Sequence, residues 1–166
     1  MKFVCKTMDE LTGKQVYEMI KARLAVFCVE QDCVYQDCDD YDYGLHLFYE
    51  EDDGTVVAYA RLYDVDPKTL NEFPLQDGSG MVKYQLHPDA KTVQIGRMLT
   101  INRKTGQGAS LLKEVIKAAR EIMKADYIYA EAESDVIGFY TRENFVLCSD
   151  AYIKDGILHN SMELKL

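Results

Sequence analysis

Six consecutive residues carry the clearest chemical pattern in the chain: Arg103, Lys104, Thr105, Gly106, Gln107 and Gly108. They fall between a segment that reads as a strand, 92–101, and one that reads as an amphipathic helix, 107–124. Glycines let a backbone turn tightly and approach a ligand closely. The first amides of a helix have no partner within it, and the positive end of its dipole points outward. Two basic side chains add to that field, so the pattern suits a pyrophosphate. It is not a Walker A loop, which ends in G-K-[ST]. Nor is it the dinucleotide fingerprint, which needs G-x-G-x-x-G and a downstream acid. The same glycines would also serve a plain chain reversal, and the residues alone leave both readings open.

A second set of residues could move protons. Glu131 and Glu133 lie at or just beyond the C-terminal end of a strand-like segment, 127–131, where α/β sheets place ligands. Alternation puts both on one face. A carboxyl raised by burial or a neutral histidine could take a proton near neutral pH, so His46, His159 and Glu30 join the candidates. Against these stand the plainer readings: solvated strand ends, structural histidines, or a water chain with no side-chain base. Cys28, Cys33 and Cys38 are evenly spaced but lack the paired spacing of a zinc site. Asp37, Asp39, Asp40 and Asp42 lack the order of a calcium loop. No metal is expected. Those aspartates could draw a cationic acceptor through a screened field.

The elements that would position these groups follow from pattern. The chain has 166 residues, 48% of them hydrophobic, enough for one domain of ordinary size, 1–166, with its own core. Its formal charge of −9 argues against nucleic acid or an anionic membrane as partner; it fits a small cationic amine, and also an acidity that only keeps the protein in solution. Five cysteines, an odd count, argue against a disulfide framework. The N-terminus does not read as a signal peptide, and no apolar run approaches a membrane span, so a cytoplasmic location is expected.

A short strand at 2–7 precedes a helix at 13–30, capped by Thr12, with Val16, Ile20, Leu24 and Phe27 on its core face. A polar, aromatic loop, 31–43, leads to strands at 45–51 and 55–64 joined by D-D-G-T, a hairpin signal. Residues 65–91 hold all three prolines and read as an insertion, with a short strand at 81–86. In the helix at 107–124, Leu111, Leu112, Val115, Ile116, Ala119 and Met123 form the apolar stripe. Asp135 is placed to cap a short helix reaching Arg142. A final hairpin, 145–153 and 157–165, turns at K-D-G. The order β-α-β-β-(insert)-β-α-β-α-β-β predicts an α/β protein with a mixed sheet.

R-K-T-G-Q-G resembles the [QR]-x-x-G-x-[GA] acetyl-CoA loop of the GNAT superfamily of N-acetyltransferases. Phe139-Tyr140 followed by Asn144-Phe145 is similar to that family's F-Y-x-x-x-G-F segment, with Asn in place of Gly, the next-best residue for a left-handed helix end. Arg23, then V-F-C-V-E-Q-D-C-V-Y at 26–35, then the aspartates and His46, resemble the ElaA-like subgroup. So do A-Y-A-R-L at 58–62, I-G-R at 95–97 and D-G-I-L-H-N-S-M at 155–162.

The resemblance implies a GNAT fold, a single twisted mixed sheet flanked by helices, and acetyl transfer from acetyl-CoA to a primary amine by direct attack in a ternary complex. It assigns the cofactor to Met98, Leu99, Thr100, Arg103–Gly108, Ala109, Asp135 and Gly138, with a backbone N–H near Met98 or Leu99 polarising the carbonyl. It makes Tyr140 the donor to the departing thiolate. Arg23, Glu30, Tyr35, His46 and His159 are then the acceptor-side candidates; for Arg23 and Glu30 a mutual ion pair stands as the equal alternative. The pattern R…V-F…E-Q…D…H also resembles acyl-homoserine-lactone synthases, which implies a longer acyl donor, and a non-catalytic acyl-CoA-binding module fits the same loop. A homodimer stays open.

Overall fold

The computed structural model describes residues 1–66, 72–74, 81–83, 87 and 89–166. In chain order the strands and helices are β1 (Lys2–Thr7), α1 (Gly13–Arg23), β2 (Leu45–Glu50), β3 (Val56–Val65), β4 (Glu72–Pro74), β5 (Met81–Lys83), β6 (Thr92–Thr100), α2 (Gln107–Glu121), β7 (Tyr127–Glu133), α3 (Ile137–Thr141), β8 (Val146–Leu147), β9 (Tyr152–Lys154) and β10 (Ile157–Lys165). They cluster into two compact units, 1–63 with 95–115 and 64–94 with 116–166.

In the first unit the strand order is β1-β2-β3-β6. β1 pairs antiparallel with β2 from Lys2↔Glu50 to Thr7↔Leu45, and β2 with β3 from Leu45↔Leu62 to Glu50↔Val56. The D-D-G-T hairpin forms as the sequence predicts: Glu51 N–H donates to Thr55 O, and Gly54 sits at φ 88, open to glycine at no steric cost. Thr12 caps α1, accepting from the Gln15 N–H while Gln15 reaches back to the Thr12 N–H, a reciprocal pair that satisfies two orphan donors.

The helix predicted at 13–30 is present, but its last seven residues, Leu24–Glu30, are π-helical. Gln31 N–H donates to Val26 O, and Cys33 N–H to Cys28 O, each five residues back. The core face differs accordingly. Met19, Ala22 and Val26 are buried with Val4, Phe48, Val56, Tyr59 and Leu99; Val16, Ile20 and Phe27 pack only at its flank, and Leu24 is exposed. Arg23 occupies the buried stripe as well. Apolar periodicity cannot assign a charged residue there, so the expected face lies one position from the buried one.

In the second unit the order is β6-β7-β10-β8, with β9 also on β10. Residues 92–94 of β6 belong here and 95–100 to the first unit. β10 runs antiparallel to β7, from His159↔Glu133 to Lys165↔Tyr127. Ile128, Tyr129, Ala130, Ala132, Phe145, Tyr152 and Met162 are buried. The K-D-G turn forms between β9 and β10, with Asp155 at φ 52 and Gly156 at φ 78, the two left-handed residues of a hairpin turn whose twist matches the strands. The predicted strand at 145–153 is instead two short pieces, β8 and β9.

Within 65–91, β4 and β5 form a two-stranded antiparallel pair, Glu72↔Lys83 to Pro74↔Met81. Most of the expected insertion, and 84–86 of the strand expected there, lie outside the described residues. α2 ends at Glu121, and Leu111, Leu112, Val115 and Ala119 are buried as the stripe predicts.

Candidate functional site

The first unit contains the 103–108 loop. Strand β6 departs from extended geometry at one residue, Arg97, at φ 54. Immediately after this break come Met98, Leu99 and Thr100. Leu99 points into the core, and the alternating residues Met98 and Thr100 are half-buried on the opposite face. Beyond them the chain turns through Lys104 at φ 62 and Gly106 at φ 81, with Thr105 Oγ1 donating to Asn102 O.

The first bond of α2 runs from Ser110 N–H to Gly106 O, at 3.0 Å. The N–H groups of Gln107, Gly108 and Ala109 precede it and have no acceptor inside the helix. A Cβ built on Gly106 would meet nothing within 4 Å, so the approach is open. Lys104 is exposed, and Arg103 is exposed and pairs with Glu30, at the end of the π-helical turn. Open backbone donors, a helix dipole and two cationic side chains suit a pyrophosphate chemically.

A second cluster in the same unit ties the 31–43 loop down. Arg23 is buried; its Nη1 lies 2.6 Å from Asp42 Oδ1, its Nη2 donates to Asp37 O, and its Nε faces Asp37 Oδ2 at 2.9 Å, poorly aligned for a hydrogen bond. Arg61 Nη1 reaches Asp39 Oδ1 at 2.6 Å and Asp42 Oδ1 at 2.7 Å. Arg97 donates from Nε to Asp37 Oδ1 and from Nη2 to Asp37 O, both at 3.0 Å. Its guanidinium lies over the Tyr35 ring, whose hydroxyl donates to Asp37 Oδ1.

Burial disfavours the Arg23 charge, but the Asp42 hydrogen bond and the nearby carboxylates outweigh it, and its pKa is raised. Burial opposes the Asp42 charge too, yet Arg23 and Arg61 hold its carboxyl below the usual range. Burial pushes the Tyr35 phenol up.

This cluster corrects two expectations. Arg23 does not pair with Glu30. The aspartates at 37–42 are not a free field for a cationic acceptor either, because three of these four are bound by three arginines; Asp40 is the exposed one. His46 is buried with both ring nitrogens engaged, Nδ1 by the Tyr59 hydroxyl and Nε2 by Asp42 O, each at 2.7 Å. Burial lowers its pKa, so the ring is neutral at pH 7.

The second unit holds Tyr140, Glu131, Glu133, His159, Asp135 and Gly138. Tyr140 is only 6% exposed, lies edge-on to Phe139 and Phe145, and its hydroxyl makes no hydrogen bond among the described residues. Burial, then the Glu133 charge, push its pKa up, so it stays a protonated donor. Glu133 ends β7 opposite His159, whose Nδ1 lies 2.8 Å from Ile157 O. Glu131 is ion-paired with Lys154.

Asp135 does not cap α3. It sits in a 3-10 turn, Ser134–Val136, and Val136 occupies the cap without a side-chain bond. A Cβ on Gly138 would meet nothing within 4 Å. Asn144 stands at φ 65, the left-handed helix end expected of it, and Phe145 N–H returns to Tyr140 O.

The structure therefore brings Arg103 to Glu30 and Tyr35 to Arg97, and sets Tyr140 near Glu133. Sequence reasoning missed the roles of Arg61, Arg97 and Lys154. An available signal was the match of three arginines in otherwise apolar segments to a cluster of acids at 37–42. All five cysteines are free, and no group of three or more His, Cys, Asp or Glu among the described residues could hold a metal. No helix among them is long and apolar enough to cross a membrane.

No family model matches the chain. It is 30% identical over 170 residues to a UPF0039 protein of Schizosaccharomyces pombe, spanning 100% of this chain and 98% of that one. The crystal structure of Escherichia coli ElaA superposes with a TM-score of 0.78 at 25% identity, covering 99% of both chains. That of an acyl-CoA N-acyltransferase from Pseudomonas aeruginosa gives 0.76 at 28% identity, covering 98% and 99%. The chain shares their fold: an open mixed sheet flanked by helices, the acyl-CoA N-acyltransferase or GNAT fold.

Proposed function

The chain belongs to the ElaA/UPF0039 family and has the GNAT fold, and from that premise we propose that it transfers an acetyl group from acetyl-CoA to a primary amine on a small molecule. The observation that carries this reading is the cradle at the head of α2: open Gly106, the first-turn amides of Gln107, Gly108 and Ala109, and the cations Arg103 and Lys104. Acetyl-CoA would supply the thioester to be attacked. Asp135 and Gly138 are the further cofactor contacts in this reading.

The residues then divide the work. An ammonium has no lone pair, so the amine must first lose a proton. Glu133, the last residue of β7, is the carboxylate assigned to accept it in this reading, with Glu131, ion-paired to Lys154, two residues before it on the same face. As the amine attacks, negative charge grows on the carbonyl oxygen. In this reading a backbone N–H at Met98 or Leu99, just after the left-handed residue Arg97, would meet that charge. Tyr140, buried and protonated with an uncommitted hydroxyl, donates to the departing sulfur.

Titration calorimetry of the purified protein with acetyl-CoA, followed by an amine screen read by CoA release, tests the reading. Saturable binding with turnover of a small amine supports it. Binding without turnover of any amine would leave an acyl-CoA-binding module, and turnover only with longer acyl donors would replace acetyl by that donor. No binding up to millimolar acetyl-CoA sinks the proposal.

A further inference from the structure

Glu30 and Arg103 stand at two functionally different places. Arg103 opens the anion loop, and Glu30 closes the π-helical turn that follows α1. The Arg103 guanidinium is held by the Glu30 carboxylate. A pyrophosphate competes for the same guanidinium with more charge and with matching bidentate geometry.

The π-helical turn is anchored unequally. At its start, Arg23 is buried and bound by Asp37 and Asp42. At its end, Val29 and Val34 are almost fully exposed and Asp32 takes a left-handed φ of 50. These exposed side chains are turned to water rather than to the core, so that end opens at lower cost than the start. π-helical turns of this kind are frequent at functional sites.

We propose that Glu30 is a competitor built into the cofactor site: its carboxylate occupies Arg103 until an acyl-CoA pyrophosphate displaces it, and its release loosens the end of the π-helical turn. This rests on the acyl-CoA reading above. Glu30 is a positioning residue in this scheme, acting through Arg103.

CoA binding by calorimetry at low salt tests it in four proteins: wild type, Glu30→Gln, Arg103→Ala and the double variant. Glutamine is nearly isosteric and Glu30 is 48% exposed, so Glu30→Gln should melt at the wild-type temperature. Losing an exposed competitor should tighten CoA binding about two- to fivefold. In the Arg103→Ala background the same substitution should have no effect, because the coupling runs through Arg103. Amide exchange across 28–35 should rise when CoA binds wild type, and should already be high in free Glu30→Gln. Wild-type binding that Glu30→Gln does not tighten, or that it tightens equally without Arg103, overturns this inference alone. Absence of CoA binding by wild type overturns the acyltransferase reading with it.

Discussion

The anion loop at 103–108 and the arginine–aspartate cluster around 31–43 belong to the same unit and are built on opposite plans. The loop presents backbone: three first-turn amides, a glycine with open space beside it, and two exposed cations. The cluster uses side chains, with Arg23, Arg61 and Arg97 bound to Asp37, Asp39 and Asp42 and largely removed from water. One region leaves first-turn backbone donors without a partner inside the helix; the other pairs its charged side chains with one another. Ligand affinity and fold stability should therefore separate under mutation.

The largest expected effect is on stability. Arg23→Ala leaves Asp37 and Asp42 without their buried partner, and breaking one side of a buried pair costs about 3–5 kcal/mol. Arg103→Ala removes an exposed side chain and should stay within about 0.5 kcal/mol of wild type. Urea denaturation of the two variants measures the gap. Equal losses would mean that the cluster is not the structural member of the comparison.

The converse effect is on binding. Gly108→Trp places an indole on the first turn of α2, where the backbone must approach a pyrophosphate. Acetyl-CoA binding should fall below detection by calorimetry while the melting temperature holds. A folded variant with unchanged affinity would remove the loop from the cofactor site.

The two regions also differed in how well the sequence revealed them. The loop was readable as a strand-to-helix turn because its signal is local: glycines between a strand period and a helix period. Thr12, the D-D-G-T and K-D-G turns, and Asn144 were readable for the same reason, each being a short-range conformational preference. The cluster was not. Arg23 sits in a buried helical stripe where periodicity expects an apolar residue, and it gains its place only from Asp37 and Asp42, which the fold brings back to it. The acidic loop thus looked like a solvated field. Asp135 misled in the other direction: a good capping residue by type lies in a 3-10 turn, one residue before the cap.

A smaller effect follows from His46 inside the cluster. Burial lowers its folded-state pKa below the ordinary 6.5. As pH falls through about 6.5 the unfolded chain takes up a proton that the folded chain refuses, so stability is full above that pH and declines below it. Asp42, held low by its arginines, adds a second loss only at more acidic pH, as its folded state finally protonates. Denaturation midpoints of wild type and His46→Gln from about pH 7 to pH 5 test the histidine contribution; the variant should lose the slope. A slope that persists assigns it to other groups.

The smallest effect sharpens the contrast most. Lys104 at φ 62 and Asp32 at φ 50 are both non-glycine residues in the left-handed region, one in the anion loop and one after the π-helical turn. Left-handed geometry costs an ordinary residue about 1–2 kcal/mol, and glycine gives back about 0.5–1 kcal/mol through the entropy of the unfolded chain. Lys104→Gly and Asp32→Gly should therefore both change stability by no more than about 1 kcal/mol. Their binding should differ. Lys104→Gly removes a cation from the cradle and should weaken acetyl-CoA about two- to fivefold at low salt, with the difference fading as salt rises. Asp32→Gly should not show that salt-dependent loss. If both variants weaken binding alike, backbone geometry rather than charge governs the cradle, and Lys104 is there for the turn alone.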